Sequence, residues 1–225
     1  MSSPSLSGNQ SMKTAQIEVT LINSCGADIS VVNAARVSFN KHHSGWEFGK
    51  DDKLIAYLAK HKHYSPFNHA FLSFRVKAPI FVARQLVKHK FLPWNEVSRR
   101  YVDDTPEFYF PEQWRKKSID KKQGSDSEPV DMNNACIIST DKIAQSCLAL
   151  YSFLLAEGVA PEQARMVLPQ NIMTEWIWSG TLGAFCDMLR LRLDPHTQKE
   201  TQDVAKLIAN EVQALFPVSY AALLK

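Results

Sequence analysis

Polar and apolar positions alternate most cleanly in FLSFRV, which places Leu72, Phe74 and Val76 on one side and Phe71, Ser73 and Arg75 on the other. That is the period of a half-buried β-strand. AQIEVTLI (15–22) predicts an edge strand, and VVNAARVSF (31–39) a short helix or turn ending in an extended piece. Leu54, Ile55, Tyr57 and Leu58 fall near helical spacing and predict a short amphipathic helix. It stops at HKHYSPFNH, where Pro66 disfavours helical geometry at Ser65. In APIFVARQLVKHK, Pro79 suits a helical first turn, with Ile80, Phe81, Ala83, Leu86 and Val87 as the apolar face. Pro93 must end that helix, so FLPWNEVSRRY is expected as a loop. Beyond residue 130 the pattern is mostly helical: one helix over about 138–157, a second from Pro161, a third in TLGAFCDMLRLRL and a long fourth in HTQKETQDVAKLIANEVQALF. Val204, Leu207, Ile208, Val212 and Leu215 share one face of the fourth. The expected class is α+β, with a small mixed or antiparallel sheet and several long helices.

At 225 residues the chain suits one core, taken as a single domain over 13–225 behind a disordered tail at 1–12. The tail is Ser-rich and has neither the basic nor the apolar region of a signal peptide. RKKSIDKKQGSDSEPV, near 115–130, is polar and expected as an exposed insertion. No apolar run approaches the roughly 18 residues of a membrane span. Cys25, Cys136, Cys147 and Cys186 are widely spaced with no CxxC pair, which fits a reducing cytoplasm and signals neither zinc nor a disulfide framework. A net charge of +3 does not announce a nucleic-acid-coating protein, but would help to attract small anions if the cations share a cleft.

The chemistry-bearing groups concentrate in KHKFLPWNEVSRRY (88–101). None of the seven histidines belongs to an HExxH-like motif, so no metal site is expected. HKHYSPFNH brings His63, Ser65, Asn68 and His69 close together, either as a plain polar turn or as part of a site. Ser98 lacks a GxSxG elbow, and GxGxxG and P-loop cradles are absent, so a bound nucleotide would depend on cationic side chains and helix ends. Arg84, Lys88, His89, Lys90, Arg99 and Arg100 supply cations. Arg165 and Arg192 are set among apolar residues, where a guanidinium needs an anion: an internal carboxylate such as Glu162, Asp187 or Asp194, or a ligand.

Together these segments resemble the flavin-dependent thymidylate synthases, whose hallmark is RHR, seven residues and a serine. Here it reads Lys88-His89-Lys90, FLPWNEV, Ser98, with both arginines replaced by lysine. AARVSF (34–39), HYSPFNH (63–69), KAPIFVARQ (77–85), NEVSRRY (95–101), ARMVLPQN (164–171) and LRLDPHTQKE (191–200) follow in family order, so the resemblance spans about 15–216. It implies the thymidylate synthase-complementing fold, mixed α/β, in a homotetramer whose active sites are shared between subunits. It also implies methylation of dUMP to dTMP with FAD as cofactor, methylenetetrahydrofolate as one-carbon donor and NADPH as reductant, without a cysteine nucleophile. No nucleic acid or membrane partner is implied.

By matching position, dUMP is expected to meet Gln85, Lys88, Glu96, Val97, Ser98, Arg99, Arg100 and Arg165, with Arg192 as the catalytic residue gripping the uracil ring. FAD is expected at Ser38, Ser65, Lys88, His89, Lys90, Glu96, Asp187 and His196, with Thr181 and Gly183 where an Asn and an Arg are usual. His63 matches a histidine beside flavin and folate, and Asn68 stands where Glu is usual. These departures keep two alternatives in view: a sister enzyme that leaves, for example, a hydroxymethyl group on dUMP, and a non-catalytic nucleotide-binding protein.

Overall fold

The computed structural model describes residues 12–102, 104–119, 124–132 and 134–224. The expected tail, Met12 excepted, lies outside the described residues, as do 120–123 of the polar insertion. In chain order come β1 (Lys13–Thr14), β2 (Glu18–Cys25), α1 (Asp28–Arg36), a 3-10 turn (Val37–Phe39), α2 (Asp51–Lys60), a second 3-10 turn (Ser65–His69), β3 (Phe71–Pro79), α3 (Ile80–Leu86) and β4 (Trp94–Glu96). β5 (Glu107–Phe108), β6 (Arg115–Lys117), β7 (Ser125–Pro129), α4 (Asn134–Ala156), α5 (Pro161–Ala164), a 3-10 turn (Arg165–Val167), β8 (Met173–Thr181), α6 (Leu182–Arg192), α7 (Lys199–Leu215) and α8 (Pro217–Leu224) complete it. No helix among the described residues is long and apolar enough to cross a membrane.

The main sheet has the order β2-β3-β8-β4, antiparallel throughout. Leu72, Phe74 and Val76 are fully buried, as their alternation predicts, and β8 sets Trp176 and Trp178 beside them. Phe185 of α6 closes this face, its ring 5.1 Å from that of Phe74 and 5.6 Å from that of Trp178. The opposite face carries polar pairs that suit solvent, Ser73 with Ser179 at 2.8 Å and Arg75 with Glu175 at 2.5 Å. Asp28 fastens α8 to α1, accepting from the backbone N–H groups of Val218 and Ser219 at 2.9 Å each and from the Ser219 hydroxyl. Phe108, Ala144, Leu148, Tyr151, Ala164 and Ile172 form a second core cluster, against which Met12 packs.

Several expectations are corrected. The second half is not simply helical, because β8 runs through it and pairs with both β3 and β4. FLPWNEV is not all loop: Trp94–Glu96 pairs with Ile177 and its neighbours as β4, a strand too short to show a period. VSF (37–39) forms a 3-10 turn rather than an extended piece. Pro79 ends β3 and caps α3 instead of sitting in its first turn. The α3 face is also rotated, since Val82 is fully buried while Val87 is 47% exposed. The described parts of 115–130 form the β6–β7 hairpin. Its Arg115 reaches inward to pair with buried Glu200 at 2.6 Å.

Candidate active site

The segment from Lys88 to Tyr101 is laid across β8 by a local lack of side chain. A Cβ on Gly180 would stand 2.4 Å from Leu92 Cδ2 and 3.1 Å from the Phe91 carbonyl oxygen, so only glycine lets the loop lie this close. Phe91 adopts φ 62, an uncommon conformation for a non-glycine residue, and the turn buries Leu92 while Phe91 stays exposed. The Ser179 N–H then donates to the Pro93 carbonyl at 3.2 Å, and the Trp94 ring stacks on Trp176 at 4.2 Å. Both oxygens of Glu96 are fixed, by Trp94 Nε1 at 3.0 Å and by the Thr174 hydroxyl at 2.7 Å.

One half of the expected nucleotide set meets in a cleft of about 730 Å³, where Glu96, Val97, Arg99 and Arg165 all line the wall. Lys13, Lys77 and Arg84, which the resemblance did not assign, line it too. Arg99 is held by Asp104 through the backbone carbonyl at 2.8 Å, and Lys77 by Glu107 at 2.6 Å. Arg84 has no carboxylate partner among the described residues, and Arg165 reaches only the Glu162 carbonyl, at 3.3 Å. These two cations are therefore free to meet an anion. Ser98 and Arg100 belong to the same segment but not to the cleft wall: the Ser98 hydroxyl accepts from Arg100 N–H at 3.3 Å, and the Arg100 guanidinium pairs with Glu162 at 3.5 Å.

Of the remaining nucleotide residues, Gln85 meets Arg192, together with His89 of the expected flavin set. Arg192 Nε donates to His89 Nε2 at 2.8 Å and its Nη2 to the Gln85 carbonyl at 3.4 Å. The internal salt bridge considered for this arginine is absent among the described residues, because Asp187 pairs with Arg190 at 2.8 Å and Asp194 with His196 at 2.9 Å. Burial, and then the Arg192 charge, lower the His89 pKa to about 4, so the ring is neutral at pH 7 and presents a lone pair at Nε2. Burial also lowers the Arg192 pKa. Because unfolded His89 titrates near its ordinary value, its contribution to stability is full above about pH 6.5 and is lost as pH falls towards 4. In an NMR titration, the His89 ring should stay neutral until the pH nears 4, and Arg192→Ala should raise that value only partly, since burial is the larger cause. A ring that titrates near 6.5 in the unmodified protein would refute this arrangement.

The expected flavin residues are more dispersed. Lys88 and Lys90 are exposed and carry no partner among the described residues, whereas Ser38 and Ser65 lie exposed on two separate 3-10 turns. Asp187 and His196 are engaged in the pairs above, and the His63 ring stands edge-on to Tyr57 at 5.9 Å. Three departures from the family pattern turn out to touch one another. The Thr181 hydroxyl accepts from Ala184 N–H at the start of α6 at 3.2 Å and donates to Asn68 Oδ1 at 2.8 Å, while a Cβ on Gly183 would come within 2.6 Å of that same oxygen. Asn68, Thr181 and Gly183 thus form a single packed unit.

A cleft with unpaired cations and a half-buried arginine with no carboxylate partner among the described residues define a binder of small anionic ligands. The comparisons give that class its family. The chain matches the family described as thymidylate synthase complementing protein over residues 20–218, and it belongs to that family. A flavin-dependent thymidylate synthase of Thermus thermophilus is 40% identical over 205 residues, covering 91% of this chain and 74% of the relative. One from Kosmotoga olearia is 39% identical, covering 92% and 89%. Among solved structures, the UMP/dUMP methylase PolB of Streptomyces cacaoi bound with 5-Br dUMP superposes with a TM-score of 0.84 at 30% identity, covering 94% of this chain and 96% of that one. The same methylase bound with 5-Br UMP gives a TM-score of 0.83.

Proposed function

We infer that this protein is a flavin-dependent thymidylate synthase that methylates dUMP to dTMP. The observation that carries the reading is the half-buried Arg192 guanidinium, free of any carboxylate among the described residues and set beside a neutral histidine, in a chain whose curated relatives bear that activity. Arg192 still has N–H groups to offer a pyrimidine carbonyl and a deprotonated ring nitrogen, stabilising negative charge as the ring becomes nucleophilic. Arg84 and Arg165 meet the phosphate, and Glu96, its carboxylate held by two donors, is an oriented acceptor for ribose or flavin. The Cys186 thiol is not poised to attack: burial pushes it up to about 12.

The residues fit FAD, since the unpaired Lys88 and Lys90 offer charge to a dinucleotide's phosphates, with Ser65, Thr181 and His196 as polar contacts. Bound FAD supplies the hydride that completes the methyl group, with NADPH as its reductant and methylenetetrahydrofolate as the carbon donor. His63 faces the folate side. Arg192 and the cationic cleft are separate in one chain, which supports a homotetramer in which one subunit's cleft completes another's Arg192 face. Cys25, Cys147 and Cys186 are free thiols and fit the cytoplasm.

The test is the mass of the nucleotide formed from dUMP, methylenetetrahydrofolate, FAD and NADPH at low oxygen. A methylated product is expected. A hydroxymethylated product, or unchanged dUMP beside a bound, reducible flavin, would overturn the reading in favour of the sister enzyme or of a binding protein. UMP belongs in the same assay, because the structurally similar methylase is described as acting on UMP as well as dUMP. The more similar relatives are thymidylate synthases, so dUMP should be preferred here. Replacing Lys88 and Lys90 together by arginine should preserve or tighten flavin affinity in a fluorescence titration, since the planar fork adds paired contacts to phosphate. A marked loss would show a pocket shaped around lysine.

A further inference from the structure

Gln85, on α3, is tied to α7 across 113 positions of sequence by a run of side-chain hydrogen bonds whose direction is set at one end. Arg115 Nη2, from the β6–β7 hairpin, donates to Glu200 Oε1 at 2.6 Å. Glu200 is only 3% exposed, and its other oxygen accepts from Gln198 Nε2 at 3.0 Å. Gln198 Oε1 accepts in turn from Gln85 Nε2, and Gln85 Oε1 accepts from the Thr201 hydroxyl at 3.1 Å.

The chemistry of the partners dictates this order. Arginine only donates, and an ionised carboxylate only accepts. Gln198 must therefore turn its NH₂ towards Glu200, which leaves its oxygen for Gln85. Gln85 must then turn its own NH₂ towards Gln198. Thr201 cannot impose the order, because a hydroxyl serves either way. Once the run is formed, the Gln85 side chain retains one N–H and one carbonyl lone pair in fixed places, while its backbone carbonyl accepts from Arg192 Nη2.

We propose that Glu200 is a positioning residue that fixes which end of the Gln85 amide faces the nucleotide, with Arg115 of the hairpin holding the Glu200 carboxylate in place. The proposal rests on the nucleotide reading of Gln85. It gives the hairpin a function: a surface element that reaches the substrate through a buried carboxylate. It also explains why a carboxylate is kept buried at the start of α7, where Arg115 and the helix N-terminus both favour its charge.

The test uses a single and a double variant of the full chain. Glu200→Gln retains shape but can offer an N–H to Gln198, which frees both amides to turn over. The KM for dUMP should rise about tenfold, the loss of one well-aimed hydrogen bond, with kcat little changed. Gln198→Glu combined with Glu200→Gln puts the carboxylate one place nearer, where it accepts directly from Gln85 Nε2, and the amide introduced at position 200 donates to it while still accepting from Arg115. That double variant should return to within about threefold of the unmodified KM. An unchanged KM in E200Q, or a double variant as poor as the single, overturns the proposal. If E200Q fails to fold, the double variant decides alone. A wild-type protein that turns over no dUMP defeats the functional reading instead. The Gln85 side-chain amide signal, assigned through Gln85→Ala, then decides this inference: it should shift in E200Q and return in the double variant, and a signal unmoved by E200Q overturns it.

Discussion

Arg192→Ala should lower dTMP formation by about a hundred- to a thousandfold, the scale for removing a donor aimed at charge that develops during reaction, while the protein still retains flavin. The expectation depends on what Arg192 lacks. A guanidinium locked to a carboxylate would contribute stability, and its loss would be read in unfolding. Among the described residues Arg192 meets only a neutral imidazole and a backbone carbonyl, so its charge remains available to an incoming pyrimidine. Arg192→Lys should recover little, because an ammonium keeps the charge but cannot hold two pyrimidine atoms at once in a planar fork. Single-turnover product formation and the flavin absorbance of the same sample separate the roles. An R192A protein that is fully active sinks the assignment, and one that has lost its flavin moves Arg192 to the cofactor.

How far the sequence disclosed this site varied with the range of the interactions. β3 was legible because Leu72, Phe74 and Val76 alternate without interruption. β8 was not, because its buried positions run Met173, Trp176, Trp178 and Gly180, out of phase at the start and ending on a residue with no side chain to register. Missing β8 also hid β4, which exists only by pairing with it. The hallmark and its neighbouring blocks marked out the nucleotide residues, yet nothing in local spacing shows that Gln85 is held by Gln198 or that Arg192 donates to His89, 103 positions away. The hairpin is the sharpest case: by composition it is a solvated insertion, and only the fold shows Arg115 entering to meet Glu200. Asn68 and Gly183 stood out singly as departures from the family pattern. In space they are one change, because the Asn68 oxygen occupies the room that a side chain at 183 would need.

Gly180→Val tests the link between β8 and the Lys88–Lys90 loop, and it should damage stability and flavin binding together. Gly180 is fully within the sheet, between Leu72 on β3 and the overlying loop. The first added carbon would overlap Leu92 Cδ2, and a rotamer change would relieve that clash only if Leu92 were not itself buried at 7% exposure. The Phe91 carbonyl, 3.1 Å from the same point, is backbone and can retreat only if the loop moves. Overpacking of this kind costs about 1–3 kcal/mol, which urea unfolding would register as a lower midpoint at constant slope. The functional consequence is separable, because Phe91 directly follows Lys90, and lifting it displaces the lysines and carries His89 away from Arg192. Flavin affinity should therefore fall in protein that is still folded, by fluorescence titration below the unfolding transition. Were G180V to lose stability yet bind flavin as tightly as the unmodified protein, the loop would not depend on Gly180 for its place, and the cofactor role of Lys88 and Lys90 would have to be reached by another route.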